Sequence, residues 1–309
     1  MDAHPAVQTR NLTAKRRQAP GAAPSPGVAS WFGRRGVRLL GKVLLLLVVA
    51  IGAVFFVIPF AWMVSTAGKS GELVWVIPPV WIPPAYEWRN YIDSWSLLPF
   101  KTYYLNTLKI TSLTVAGVLF SSTLAAFAFA RLRFPGRGIL FVIVLSTMML
   151  PWHVTIIPQY ILYAKLHWVN THKALWVQWW FGDAFSIFLL RQFFMTIPLE
   201  LDDAARIDGA SRLGTLWHIL LPLSKPALAV VAIFEFTWSW NNFMGPLIYL
   251  DSQKLFPVAL GLRLFQDRSG TNIQFMMAQT VIFVIPVMIL FFVSQRRFIQ
   301  GIVVSGVKG

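Results

Sequence analysis

The chain has 309 residues, 56% of them hydrophobic and only 13% charged, with a mean hydropathy of +0.61; a soluble globular domain carries roughly 25% charged residues, which excludes that class. The formal charge of +15 would suit a nucleic-acid binder, but the basic residues lie beside apolar segments, where the positive-inside bias of membrane proteins explains them. The absence of cysteine excludes disulfide frameworks, thiol chemistry and iron–sulfur sites.

Apolar runs of about 20 residues recur along the chain, the length that an α-helix needs to cross a bilayer. A membrane β-barrel would instead show alternating segments of about 10 residues, and none are visible. The reading is therefore an all-α, polytopic membrane protein with six transmembrane helices.

Residues 1–30 are rich in Pro, Ala, Gln, Arg and Ser and read as a flexible tail. Arg34, Arg35, Arg38 and Lys42 complete a basic collar suited to anionic lipid, so residues 1–42 form one unit. This stretch is too long, polar and basic for a cleavable signal peptide, and targeting is expected through the first span. That span runs from about 43 to 64. Residues 65–100 read as a non-helical loop, because the prolines of WVIPPVWIPP prevent a regular helix and its tryptophans suit an interface. Span two covers about 105–130 and ends at RLRFPGRG. Span three, about 139–163, contains Pro151 and Pro158 and should kink or break. Spans four, five and six cover about 175–195, 226–248 and 276–294.

With the N-terminus inside, the cytoplasmic segments hold 18 of the 27 Lys and Arg residues. The bias is sharpest at the short RLRFPGR connection. It places both termini in the cytoplasm, together with the polar connection between spans four and five.

That connection, LDDAARIDGASRLG from Leu201 to Gly214, reads as an elbow over about 198–222. Pro198 fits an early helical position, and Glu200, Asp202 and Asp203 favour a helix N-terminus. Asp202 and Arg206, four apart, are expected to pair on the exposed side. Leu201, Ala204, Ala205 and Asp208 share the opposite side, which is mostly small and permits close approach. Gly209 should stop this helix in a left-handed conformation, and Ser211 should cap a second one with apolar positions Leu213, Leu216, Trp217 and Leu220. An ordinary interspan loop and a docking element both fit these observations.

Glu200–Pro226, ELDDAARIDGASRLGTLWHILLPLSKP, closely resembles the "EAA" signature of permease subunits from binding-protein-dependent ABC importers. That signature is an acidic residue and two alanines, a glycine four positions on and a downstream proline, here Asp203, Ala204, Ala205, Gly209 and Pro222. Asp203 departs from the family's usual Glu, keeping the charge and shortening the reach. LSTMMLPWHVTIIPQYILYAKLHWVNTHKAL, FSIFLLRQFFMTIP, WNNFMGPLIYL and the ending RRFIQGIVVSGVKG resemble the second permease of the maltose-type, carbohydrate-uptake subfamily. The likeness runs from about residue 35 to 309 and leaves out the tail.

The resemblance implies a type I ABC importer permease fold over 43–309, in the bacterial or archaeal cytoplasmic membrane. The elbow would be a coupling helix docked in a groove of an ATPase, with Glu200, Asp203, Ala204, Ala205, Asp208 and Gly209 as contacts. Its implied partners are two cytoplasmic ABC ATPase subunits, a second homologous permease and an external solute-binding protein, besides membrane lipid; nucleic acid is not among them. No cofactor is expected in this chain, since ATP and magnesium would be bound by the ATPase subunits. GVRLLGKV, Gly36–Val43, nearly matches a phosphate loop, but Val43 stands where Ser or Thr should hold magnesium and no strand precedes it.

Within the spans, Glu235 is a substrate-path candidate because ionisable groups in the membrane are costly; a buried structural role is the alternative. Trp238, Trp240, Asn241 and Asn242 could stack on and hydrogen-bond a sugar. Interfacial anchoring and helix packing use the same residue types. Asp183 reads as a helix-end residue, and the histidines lack metal-site spacing. No nucleophile–base pair is arguable. Competing classes are a self-contained secondary transporter, which should show internal repeats, and a membrane scaffold without transport.

Overall fold

The computed structural model describes residues 28–267 and 272–306, with side chains over 39–266 and 272–295. Residues 1–27 of the expected tail lie outside the described residues, whereas residues 28–42, which include the end of that tail and the collar, are helical, with side chains described from Leu39 onward. The chain divides into two units, 1–58 and 59–309.

The described part of the first unit belongs to α1, Val28–Ala67, which carries the apolar run of span one and has Pro59 inside it. Among the described residues, the remaining elements of the second unit are all helical, with short tighter or wider helical turns joining the α-helices. In order they are α2 (Arg89–Leu97), α3 (Phe100–Arg131), α4 (Arg137–Thr147), α5 (Trp152–Lys165), α6 (Lys173–Trp176), α7 (Ala184–Thr196) and α8 (Glu200–Ile207). There follow α9 (Arg212–Thr215), α10 (Leu221–Leu223), α11 (Lys225–Trp240), α12 (Met244–Tyr249), α13 (Val258–Gly261), α14 (Leu264–Asp267) and α15 (Ile273–Gly306).

Among the described residues, Leu39–Ala67, Phe100–Arg131 and Ile273–Gln295 are each long and apolar enough to cross a membrane. Three bent helix pairs bring the total to as many as six spans. The all-α, multi-span reading therefore holds, with the third span broken between α4 and α5 and the other two bends lying at the two ends of the polar elbow.

Local chemistry explains where the breaks fall. α4 and α5 meet at 97° across Met148–Pro151. Pro151 disfavours helix at the residue before it and supplies no N–H for α4 to continue. The expected break of span three forms at Pro151, while Pro158 lies inside α5 without ending it. α3 stops at Arg131 because Leu132 is extended and Pro135 and Gly136 follow, the latter with φ +77°. α7 starts where the Asp183 carboxylate accepts the Ser186 N–H at 2.7 Å, which makes Asp183 the N-cap expected of a helix-end residue.

The 65–100 connection is not wholly irregular, since it contains α2. The prolines end at Pro84, leaving RNYIDSWSL free to coil. Asn90 Nδ2 donates to the carbonyls of Ala67 and Lys69 at 2.9 and 2.8 Å, fastening α2 to the end of α1. Lys69 is fully buried, its ammonium 3.7 Å from the centre of the Trp62 ring, and burial pushes its pKa below the usual lysine value.

Three apolar clusters hold the second unit together. The largest joins Val118 and Phe127 of α3 to Leu190 and Phe194 of α7, to Val231 of α11, and to Leu216 and Leu220 of the elbow. A second joins Phe100 and Tyr103 to Trp240, Phe265 and Phe283, and a third joins Ile110 and Tyr163 to Tyr249 and Leu250. α3 is the central helix, packed on α7, α11 and the tight turn Val177–Phe181. Gly117 permits a close approach of that turn: a Cβ there would lie 2.4 Å from the Trp180 ring.

Candidate functional site

The elbow leaves the bundle at a steep angle on both sides. α8 turns 77° from the Lys173–Thr196 segment, and Arg212–Leu223 turns 79° from α11. Three acidic residues, Glu200, Asp202 and Asp203, occupy the first turn of α8, where the helix dipole favours negative charge. Pro198 stands just outside that turn, whose first carbonyl is that of Leu199.

The end of α8 is a complete Schellman turn. The Ala210 amide donates to the Ala205 carbonyl at 2.8 Å and the Gly209 amide to the Arg206 carbonyl at 3.0 Å. Gly209 has φ +81°, the left-handed conformation expected of it. Ser211 then caps the second helix, its Oγ accepting the Gly214 N–H at 3.0 Å. A wider π turn, Leu216–Leu220, follows α9 and directs Leu216 and Leu220 into the largest core cluster. Leu213 and Trp217 are exposed instead, so the four apolar positions do not share one face.

The expected small face of α8 is likewise divided. Ala205 is 5% exposed and packs inward, while Leu201, Ala204 and Asp208 face outward with Glu200, Asp203 and Gly209. A 100° step per residue places Ala205 and Asp202 on one flank and Ala204 well outside it. The expected Asp202–Arg206 pair does not form. Arg206 pairs with Asp203 at 3.4 Å on the surface, whereas Asp202 Oδ2 lies 3.2 Å from Arg131 Nε at the end of α3. The i, i+4 rule missed Arg131 because it ranks only neighbours on the same helix. Two signals were present: the basic RLRFPGR turn, and an acidic residue beyond the one that the signature requires.

The span residues separate into two groups. Glu235 is buried in α11, facing Asp183 and Ser186 at the start of α7. Trp240 is 2% exposed, stacks on Phe236 and Phe283, and donates from Nε1 to the Phe283 carbonyl at 3.1 Å. Asn242 Oδ1 accepts the Gly245 N–H at 3.0 Å, joining the break after α11 to the first turn of α12. By contrast, Trp238 and Asn241 are exposed. Trp238 meets Trp179 edge-on at 4.7 Å, and Asn241 Nδ2 donates to the Thr237 carbonyl at 2.8 Å. Among the described residues, no group of three His, Asp or Glu could hold a metal ion.

This arrangement defines an all-α, polytopic membrane protein with a polar elbow between its fourth and fifth spans. The family model described as "Binding-protein-dependent transport system inner membrane component" matches residues 117–304. The chain belongs to that family: it is the permease subunit of an ABC importer, a multi-pass membrane component distinct from the ATPase.

Relatives include the probable ABC transporter permease protein YurM of Bacillus subtilis, 32% identical over 256 residues, or 81% of this chain and 83% of that protein. The arabinooligosaccharides transport system permease protein AraQ of Halalkalibacterium halodurans is 37% identical over 67% of this chain and 74% of its own length. The sn-glycerol-3-phosphate transport system permease protein UgpE of Yersinia pestis is 31% identical over 88% of this chain and 98% of its own. A crystal structure of a bacterial ABC transporter involved in the import of the acidic polysaccharide alginate superposes with a TM-score of 0.75. The identity there is 26%, covering 85% of this chain and 97% of the other. The fold is thus that of an ABC importer permease.

Proposed function

We propose that this chain forms one half of the translocation path of a carbohydrate importer of the maltose type, beside a second homologous permease. Two cytoplasmic ATPase subunits drive it and an external binding protein delivers the cargo. Relatives whose names specify arabinooligosaccharides and sn-glycerol-3-phosphate, and the alginate importer of similar fold, support a sugar or sugar-like cargo. Both termini and the elbow lie on the cytoplasmic side in this reading, following the distribution of Lys and Arg. Residues 1–42 serve as tail and collar, and 43–309 as the transport domain.

The observation that carries the reading is the division of α8. Its inner flank is tied to the bundle, while Glu200, Asp203, Ala204 and Asp208 are left outward-facing and small or acidic. Such a face suits a groove on an ATPase, with Ala205 and Gly209 setting its angle. Closure of the ATPase dimer would displace the elbow and rock the spans between inward-open and outward-open states. Along the path, the exposed Trp238 and Asn241 would meet cargo, with Glu235, Trp240 and Asn242 supporting the surrounding helices.

Affinity purification through this chain tests the assembly: an ATPase and a second permease should copurify, and their absence would overturn it. Ligand identification on the binding protein cross-linked to this complex tests the cargo. A sugar or polyol is expected, and an amino acid or metal ion would refute the carbohydrate assignment.

A further inference from the structure

Of the three ion pairs among the described residues, two lie on the surface: Arg89–Asp93 and Arg206–Asp203. The third, Arg131–Asp202, is different. Its side chains are 5% and 13% exposed, and it joins residues 71 positions apart in sequence on two separate elements. Arg131 Nη2 also donates to the Ile197 carbonyl at 2.8 Å, at the end of α7. One guanidinium at the tip of α3 therefore grips both the last turn before the elbow and the first turn of the elbow helix.

The pair is poorly explained as a simple cap. Asp202 Oδ1 and Arg131 Nε are buried without a hydrogen-bond partner, so the contact is held by charge at close range rather than by a saturated network. Its location is also specific: the opposite face of α8 is free of the chain, and α3 is the helix on which α7 and α11 pack. Covalent connections alone would pass a displacement of α8 to α7 through Ile197 and Pro198, and to α11 through the second elbow helix. Neither covalent connection runs through α3, which shares an apolar cluster with Leu216 and Leu220 of the second elbow helix and has the Arg131–Asp202 pair as its charged contact with α8.

We propose that the Arg131–Asp202 pair is the tie through which movement of α8, the first helix of the elbow, reaches span two, so that α3 and α8 shift as one body during each transport cycle. Asp202 and Arg131 are positioning residues here, and touch neither nucleotide nor cargo. The inference rests on reading the elbow as the element that receives the ATPase, and the test separates the two.

The test uses the complete complex in proteoliposomes, with Asp202→Asn, which removes the charge and keeps the shape, and with the exchanged pair Arg131→Asp/Asp202→Arg. The readout is ATP hydrolysed per solute imported, a ratio independent of the amount of complex recovered. Asp202→Asn should retain its ATPase subunits and hydrolyse ATP within about twofold of the parent, while the ratio rises at least fivefold. The exchanged pair should bring the ratio back to within about twofold of the parent. An unchanged ratio in Asp202→Asn would overturn the proposal, as would a raised ratio that the exchange leaves uncorrected. If Asp202→Asn fails to assemble, the exchanged pair decides alone: a parental ratio supports the tie, and any other result, loss of assembly included, overturns it. The underlying reading fails separately, if Ala204→Leu on the free face leaves ATPase association intact.

Discussion

The amide of Ala210 donates to the carbonyl of Ala205 across 2.8 Å, closing α8 over a glycine held at φ +81°. A Cβ at Gly209 would meet nothing within 4 Å, so the cost of a side chain there is conformational only. Gly209→Ala should therefore destabilise the turn by about 1–2 kcal/mol, and Gly209→Asn by less. Amide hydrogen exchange at Ala210 reads this directly. Faster exchange in the alanine variant is expected, with little change in the spans; equal protection in parent and variant would count against the turn.

Adjacent alanines should fail in opposite ways. Ala204 is exposed, so Ala204→Leu should leave the detergent melting temperature unchanged and abolish copurification of the ATPase. Ala205 is buried, so Ala205→Leu should overpack the contact beneath α8, costing about 1–3 kcal/mol. Thermal unfolding and copurification of the two variants check this together. Matching behaviour of both would mean that the two sides of α8 are not distinct.

Close packing of α3 on the turn after α6 depends on Gly117. Its added Cβ would approach Trp180 Cδ1 at 2.4 Å, and Trp180 is held by its Nε1 donating to the Leu113 carbonyl at 3.1 Å. Gly117→Ala is expected to destabilise by about 1–3 kcal/mol, while the further change Trp180→Phe should recover part of the loss. A melting temperature unaffected by Gly117→Ala would contradict this packing.

Trp240 should behave as a core residue. Trp240→Phe removes the hydrogen bond to the Phe283 carbonyl, worth about 1 kcal/mol. Trp240→Ala should cost about 3–5 kcal/mol, since it also empties the space between Phe236 and Phe283. In uptake assays, Trp240→Phe should leave the apparent affinity for cargo unchanged. A selective loss of that affinity, with stability retained, would instead make Trp240 a cargo contact.

Span number was legible because bilayer thickness dictates the length of apolar runs, and no long-range knowledge is needed to count them. Gly209 and Ser211 were legible for a similar reason, as left-handed turns and N-caps are properties of a few adjacent residues. Long-range partners were not. Arg206 lies four residues from Asp202 and so looked like its mate, but the competing charge, Arg131, comes from another helix that only folding brings near. Trp240 is similar: a tryptophan near the end of a span has the same local sequence whether it anchors an interface, meets cargo or fills a core. Pro158 shows the limit of residue-type rules, since it sits inside α5 while Pro151 ends the helix before it.

Uptake by proteoliposomes of defined composition tests most directly that this chain is an ATP-driven permease subunit. Solute should enter only when the chain is reconstituted with its partner permease and ATPase subunits, with ATP on the ATPase side and the binding protein on the other. Uptake by liposomes that hold this chain alone, without ATP, would contradict it.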